Sequence, residues 1–279
     1  MARASRASVR LSSASLVHLG APRLADILIE AGAGNANLKR RLRLEIAAEL
    51  GPAALAMEIN KRLVAIESAR TRVSWRKRGE LIADLETHRR MAVDRLAPDA
   101  PGEALAVLVR WFDLYPGLVP RGKDTKGELL STFEAAAPEL FGSAGKADED
   151  ALRELLDAMR RRPQDYGRWL VAAGDAVSVD LASALLEGLG AEVGKSPAGR
   201  LLVRSLADRA QAIDLWLSLI SPEQARLPDV AADIARRLLA VARTSEAGAA
   251  LEAALTAPRS NRRGMLGGRH QVLDAPGLS

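Results

Sequence analysis

The 279-residue chain contains no cysteine. That excludes disulfides, Cys-ligated zinc, iron–sulfur clusters and a thiol nucleophile, and it fits a reducing compartment. Aromatic residues make up only 3%, so a core has to be assembled from Leu, Ala, Val and Ile. Residues that favour strands are sparse, whereas Ala and Leu lose little rotamer freedom in a helix. No apolar run approaches the ~20 residues that span a bilayer. The first 20 residues lack the apolar stretch of a secretory signal, and a frayed start is expected there. These absences leave a cytoplasmic globular protein with no membrane partner as the expectation.

Chemistry is equally thin. The histidines His18, His88 and His270 lie far apart, with no H-E-x-x-H pair, no G-x-S-x-G elbow and no calcium loop. The string GLVPRGKD, residues 117–124, nearly matches a phosphate-binding loop, but Asp124 stands where Ser or Thr is needed. GAGNAN at 32–37 lacks the last glycine of the dinucleotide fingerprint. The carboxylates of DED at 148–150 belong in the first turn of a helix in any case. No catalytic residue, metal site or cofactor is assigned.

What the chain does contain is helical periodicity. Proline, glycine and capping residues divide it into about a dozen helices: 15–19, 22–31, 35–50, 52–69, 75–96, 102–115, 126–140, 148–162, 163–173, 176–189, 198–206, 208–220, 228–243 and 245–257. Residues 117–127 read as a loop. Pro52, Pro101, Asp148 and Ala198 each open a multi-helix unit, at separations of 49, 47 and 50 residues. That lies just above the HEAT and armadillo range. The expected fold is all-α, an irregular superhelix of stacked helices resembling HEAT or TPR architecture. Its divisions would be a disordered arm at 1–14, a helical subdomain at 15–96, a helical-repeat body at 97–258 and a flexible tail at 259–279.

The net charge of +5 is unevenly spread: +8 over residues 1–95, −6 over 96–258 and +3 over 259–279. Asymmetry of this kind raises nucleic acid as a partner. The most basic helix, RVSWRKRGELIADLETHRRMAVDRL at 72–96, holds seven Arg or Lys. On a helical wheel its apolar stripe contains Leu81, Ile82, Leu85, Ala92, Val93, Leu96 and Trp75, while acids are interspersed among the cations. Glu86–Arg90 is a favourable i,i+4 pair. A phosphate-tracking helix would gather its cations on one face and exclude acids, so this helix reads as amphipathic with a salt-bridged exterior. Arg78 and Arg89 are the exceptions, falling about 20° and 40° from Leu85, inside the apolar stripe. A buried guanidinium needs a carboxylate or several carbonyls. These two arginines are therefore either ion-paired at a helix boundary or lining a groove for an acidic ligand. Trp75, Arg78, Arg89 and Trp111 are the groove candidates.

Residues 16–114 resemble the N-terminal part of an uncharacterised bacterial family, domain-of-unknown-function family 6880. The resemblance is carried by the LG…RLA…L start at 19–28, the LKRRLRLE run at 38–45, the VSWRKRGELIADL segment at 73–85 and the P-x-x-A-L-x-x-L-x-x-W pattern at 101–111. It extends more weakly to about residue 190. It implies an all-helical protein with tetratricopeptide-like helix pairs and no known activity, cofactor or catalytic residue. The tail after Ala257 departs from the family's pattern, which implies a truncated or frameshifted end. The leading functional expectation is a scaffold that binds an unidentified protein. The alternative is sequence-independent association with nucleic acid through the basic N-terminal region.

Overall fold

The computed structural model describes residues 11–256, and among them it contains helices and no strand. The chain divides into two compact units, residues 1–211 and 212–279. The expected boundary at residue 96 falls inside the first unit, where one hydrophobic core runs from Leu44 to Leu206. The expected tail at 259–279 and most of the expected arm at 1–14 lie outside the described residues. Ser13 already opens the first helix.

The first unit runs α1 (Ser13–Val17), α2 (Ala21–Gly34), α3 (Ala36–Glu49), α4 (Pro52–Ser68) and α5 (Trp75–Met91), then α6 (Pro101–Asp113), α7 (Tyr115–Gly122) and α8 (Glu128–Ala144). It closes with α9 (Glu149–Arg161), α10 (Pro163–Ala173), α11 (Val179–Leu189) and α12 (Pro197–Arg209). Many starts are dictated locally. Proline occupies the first turn of α4, α6, α10 and α12, where its missing N–H costs nothing. The side chains of Asn35, Asp148, Ser178 and Ser196 cap α3, α9, α11 and α12. Helix α5 relaxes into a π turn at Ala92–Leu96. Gly199 lets α12 approach the turn before it, since a Cβ there would land on the Val193 carbonyl oxygen.

Neighbour relations arrange these helices in two rows. Helix α4 packs on α6, α6 on α9 and α9 on α11, while α5 packs on α8, α8 on α10 and α10 on α12. The rows meet through α6 with α8, α9 with α10, and α11 with α12. Between them lies an aromatic cluster that uses most of the chain's few rings. Phe133 on α8 sits 4.2 Å from Trp111, 5.2 Å from Tyr115, 5.8 Å from Phe112 and 5.9 Å from Trp169. Concentrating the scarce rings at one level gives large apolar burial and edge-to-face contacts where the rows need filling.

The second unit contains α13 (Ile213–Ser218), α14 (Pro222–Ala225), α15 (Pro228–Ala240) and α16 (Thr244–Thr256). Helices α15 and α16 pack as a pair. The Arg237 guanidinium covers the Trp216 ring at 4.3 Å. Arg243 ties the α15–α16 turn to Asp214 at 2.5 Å and to Glu246 at 2.6 Å.

Candidate functional site

The site grows from one residue that looks ordinary in sequence. Asp84 lies on the flank of α5 and is 1% exposed. A carboxylate that deep requires compensation. Arg40 from α3 donates its Nε to Oδ1 at 2.8 Å, and Arg62 from α4 places Nε and Nη2 at 2.7 and 2.6 Å from Oδ2. One carboxylate thus joins three helices. Arg40 also donates to the Asn37 carboxamide oxygen, and Asn37 Nδ2 donates to the Glu80 carbonyl at 2.9 Å. One turn beyond Asp84, His88 is buried and its Nδ1 lies 2.7 Å from the Asp84 carbonyl oxygen. A carbonyl only accepts, so Nδ1 carries the proton and donates. Burial holds the His88 pKa below its ordinary value, with the Asp84 hydrogen bond and charge opposing that shift.

Above this buried floor opens a cleft of about 970 Å³. One wall is the start of α3, the other is the segment 69–73 and the start of α5. Arg121 of α7 fixes the second wall, donating to the carbonyls of Ile66 at 2.8 Å and Thr71 at 3.2 Å, while its own carbonyl accepts from Val73 N–H at 3.0 Å. The cations Arg40, Arg62, Arg72, Lys77 and Arg121 line the cleft against the carboxylates Glu80 and Asp84, a surplus of three positive charges. Arg72 and Lys77 are exposed and have no ion-pair partner among the described residues. The remaining lining is Asn35, Asn37, Thr71 and small or aliphatic residues, and it contains no aromatic ring.

The family model described as a family of unknown function (DUF6880) matches residues 6–190 and 190–277. The chain belongs to this family. The second match reaches residue 277, so the sequence expectation that the tail after Ala257 departs from the family is corrected. No curated protein and no solved structure matches the chain.

In this DUF6880 chain the four groove candidates occupy different places, and none lines the cleft. Trp75 opens α5 at the surface, 73% exposed, with the Arg76 guanidinium 5.2 Å from its ring. Trp111 lies in the core and donates its Nε1–H to the Leu85 carbonyl at 2.9 Å. Arg78 is buried and its Nη groups are engaged, with Glu128 at 3.0 Å, Asp124 at 3.8 Å, and the carbonyls of Gly122 at 2.8 Å and Lys123 at 3.1 Å, while its Nε is buried without a partner. Arg89 pairs with Glu139 of α8. In the sequence Asp84 is one of the acids interspersed among the cations of 72–96, and His88 stands far from the other histidines. The missed signal was their i,i+4 spacing together with two mid-helix arginines, Arg40 and Arg62, that needed a shared carboxylate. Among the described residues no group of three His, Asp or Glu could hold a metal ion.

Proposed function

We propose that the chain is a non-catalytic, cytoplasmic helical-repeat scaffold that binds a partner protein. The observation that carries this reading is the two-row packing of α4, α6, α9 and α11 against α5, α8, α10 and α12, with a wide cleft left open at one end. Stacked helix pairs of this kind offer extended surfaces for docking. The polar clusters support the same reading. Asp84, Arg78 and Arg89 use their contacts to join helices, which stiffens the first unit.

The cation-lined cleft favours association with nucleic acid as the second reading. It ranks lower because, outside the cleft, the exposed cations of α3 and α5 are interleaved with acids: Arg41 with Glu45 at 3.8 Å, Arg90 with Glu86 at 3.2 Å, and Arg95 with Glu49 at 3.0 Å. A surface that follows phosphates presents unpaired cations of one sign.

The test places a photo-crosslinking residue singly at positions 57, 64, 77 and 171 in the full chain, irradiated in cells and treated with nuclease. The scaffold reading predicts a discrete protein adduct from one or more positions, recovered unchanged after nuclease. Adducts that nuclease removes, or none from any position, contradict it.

A further inference from the structure

We propose that the cleft between α3, α4 and α5 receives an extended acidic peptide segment of the partner, an inference that rests on the scaffold reading. Charge complementarity is the first argument. The lining carries three surplus positive charges, and Arg72 and Lys77 face solvent without a counter-ion among the described residues. Preorganisation is the second. Arg40 and Arg62 are locked onto Asp84, yet their side chains keep 26% and 30% of their exposure. Their guanidinium edges are therefore held in place before a ligand arrives, which removes part of the ordering cost of binding. The Nη1 atoms of both arginines take part in none of these contacts and remain to donate to an incoming carboxylate.

Size and lining select the occupant further. The cleft stands at the upper end of small-molecule pockets, roughly 300–1,000 Å³, and it is partly open to solvent, as a chain segment requires. Val73, Ala65 and Leu81 supply aliphatic surface between the cations, suited to apolar side chains alternating with acids. Nucleic acid fits less well, because no ring in the lining is present to stack on a base.

The experiment measures fluorescence anisotropy of three labelled probes on the full chain: a peptide of alternating glutamate and leucine, its lysine counterpart, and a single-stranded oligonucleotide of the same length. The glutamate peptide binds, its affinity falls with added salt, and the lysine peptide does not bind. The double variant R72E/K77E reverses two exposed charges, keeps the helical circular dichroism and binds at least about tenfold more weakly. R153E, a reversal on the exposed side of α9, leaves binding unchanged. Equal binding by R72E/K77E, tighter binding of the oligonucleotide, or no peptide binding at all overturns the inference. The two proposals fail separately: protein crosslinks from positions 57, 64 or 171 without peptide binding leave the scaffold standing and remove the cleft as its docking site.

Discussion

Nη2 of Arg62 lies 2.6 Å from Oδ2 of Asp84, so α4 and α5 are joined across the floor of the cleft by a buried carboxylate. The same carboxylate holds Arg40 of α3. Removing one partner of a buried pair costs more than the pair contributes, because the other charge is left uncompensated. Asp84→Ala leaves two guanidiniums facing each other. Both still reach the water of the cleft, so the loss sits at the low end of the usual range, about 3 kcal/mol. Urea denaturation followed by circular dichroism measures it, and an unchanged midpoint refutes the role given to Asp84.

His88 makes stability depend on pH. Its folded pKa lies below the ordinary 6.5, chiefly because burial disfavours the imidazolium. The unfolded chain therefore binds the proton first as pH falls. Stability is held above about pH 6.5 and declines below it, toward the lower folded value. Denaturant midpoints compared just above and well below that pH give the slope. His88→Gln, which cannot titrate, flattens it. A slope as steep as that of the parent chain means the proton is taken up elsewhere.

Arg78 anchors the segment between α7 and α8. It holds the carbonyls of Gly122 and Lys123, and Lys123 takes the left-handed conformation (φ 44°) that ends α7. Asp124 then caps α8, accepting from the N–H groups of Glu128 at 2.9 Å and Leu129 at 2.8 Å. The place a phosphate would take at that helix start is filled by a carboxylate. Arg78→Lys keeps the charge and loses the fork, at a cost of about 2 kcal/mol, with faster proteolysis at residues 122–127. Cleavage at the parental rate counts against the anchor.

Phe133 is the hub of the aromatic cluster, so its removal opens a cavity shared by both rows. Phe133→Ala costs about 4 kcal/mol. Thermal unfolding gives the loss directly. Tryptophan fluorescence shifts with it, because Trp111 and Trp169 both border the vacated space.

The all-α class and most helix positions were legible because apolar spacing and end signals are local. Pro52, Pro101 and Pro163 mark starts within a residue of the structure, and the expected helices at 35–50 and 148–162 begin on Asn35 and Asp148, the residues that cap α3 and α9. Residues 117–127 were read as loop because Gly117 and Pro120 disfavour helix. In the structure Pro116 sits in the first turn of α7, which buries Tyr115 and Leu118, and that burial outweighs propensity. The cleft was not legible. Arg40, Arg62 and Asp84 come together only through the packing of three helices, and no local pattern encodes a contact 44 residues apart. Arg78 and Arg89 were legible as anomalies, since cations on an apolar stripe demand partners. Their partners Glu128 and Glu139 sit on α8, a neighbour only the fold supplies.

The central claim is that a partner docks on the basic cleft of the first unit. Hydrogen-exchange mass spectrometry of the full chain, with and without the crosslink-identified partner, tests it most directly. The account predicts slower amide exchange over residues 34–40 and 69–83 in the complex, with little change in α9 and α11. Protection confined to other helices, or none at all under saturating partner, contradicts it.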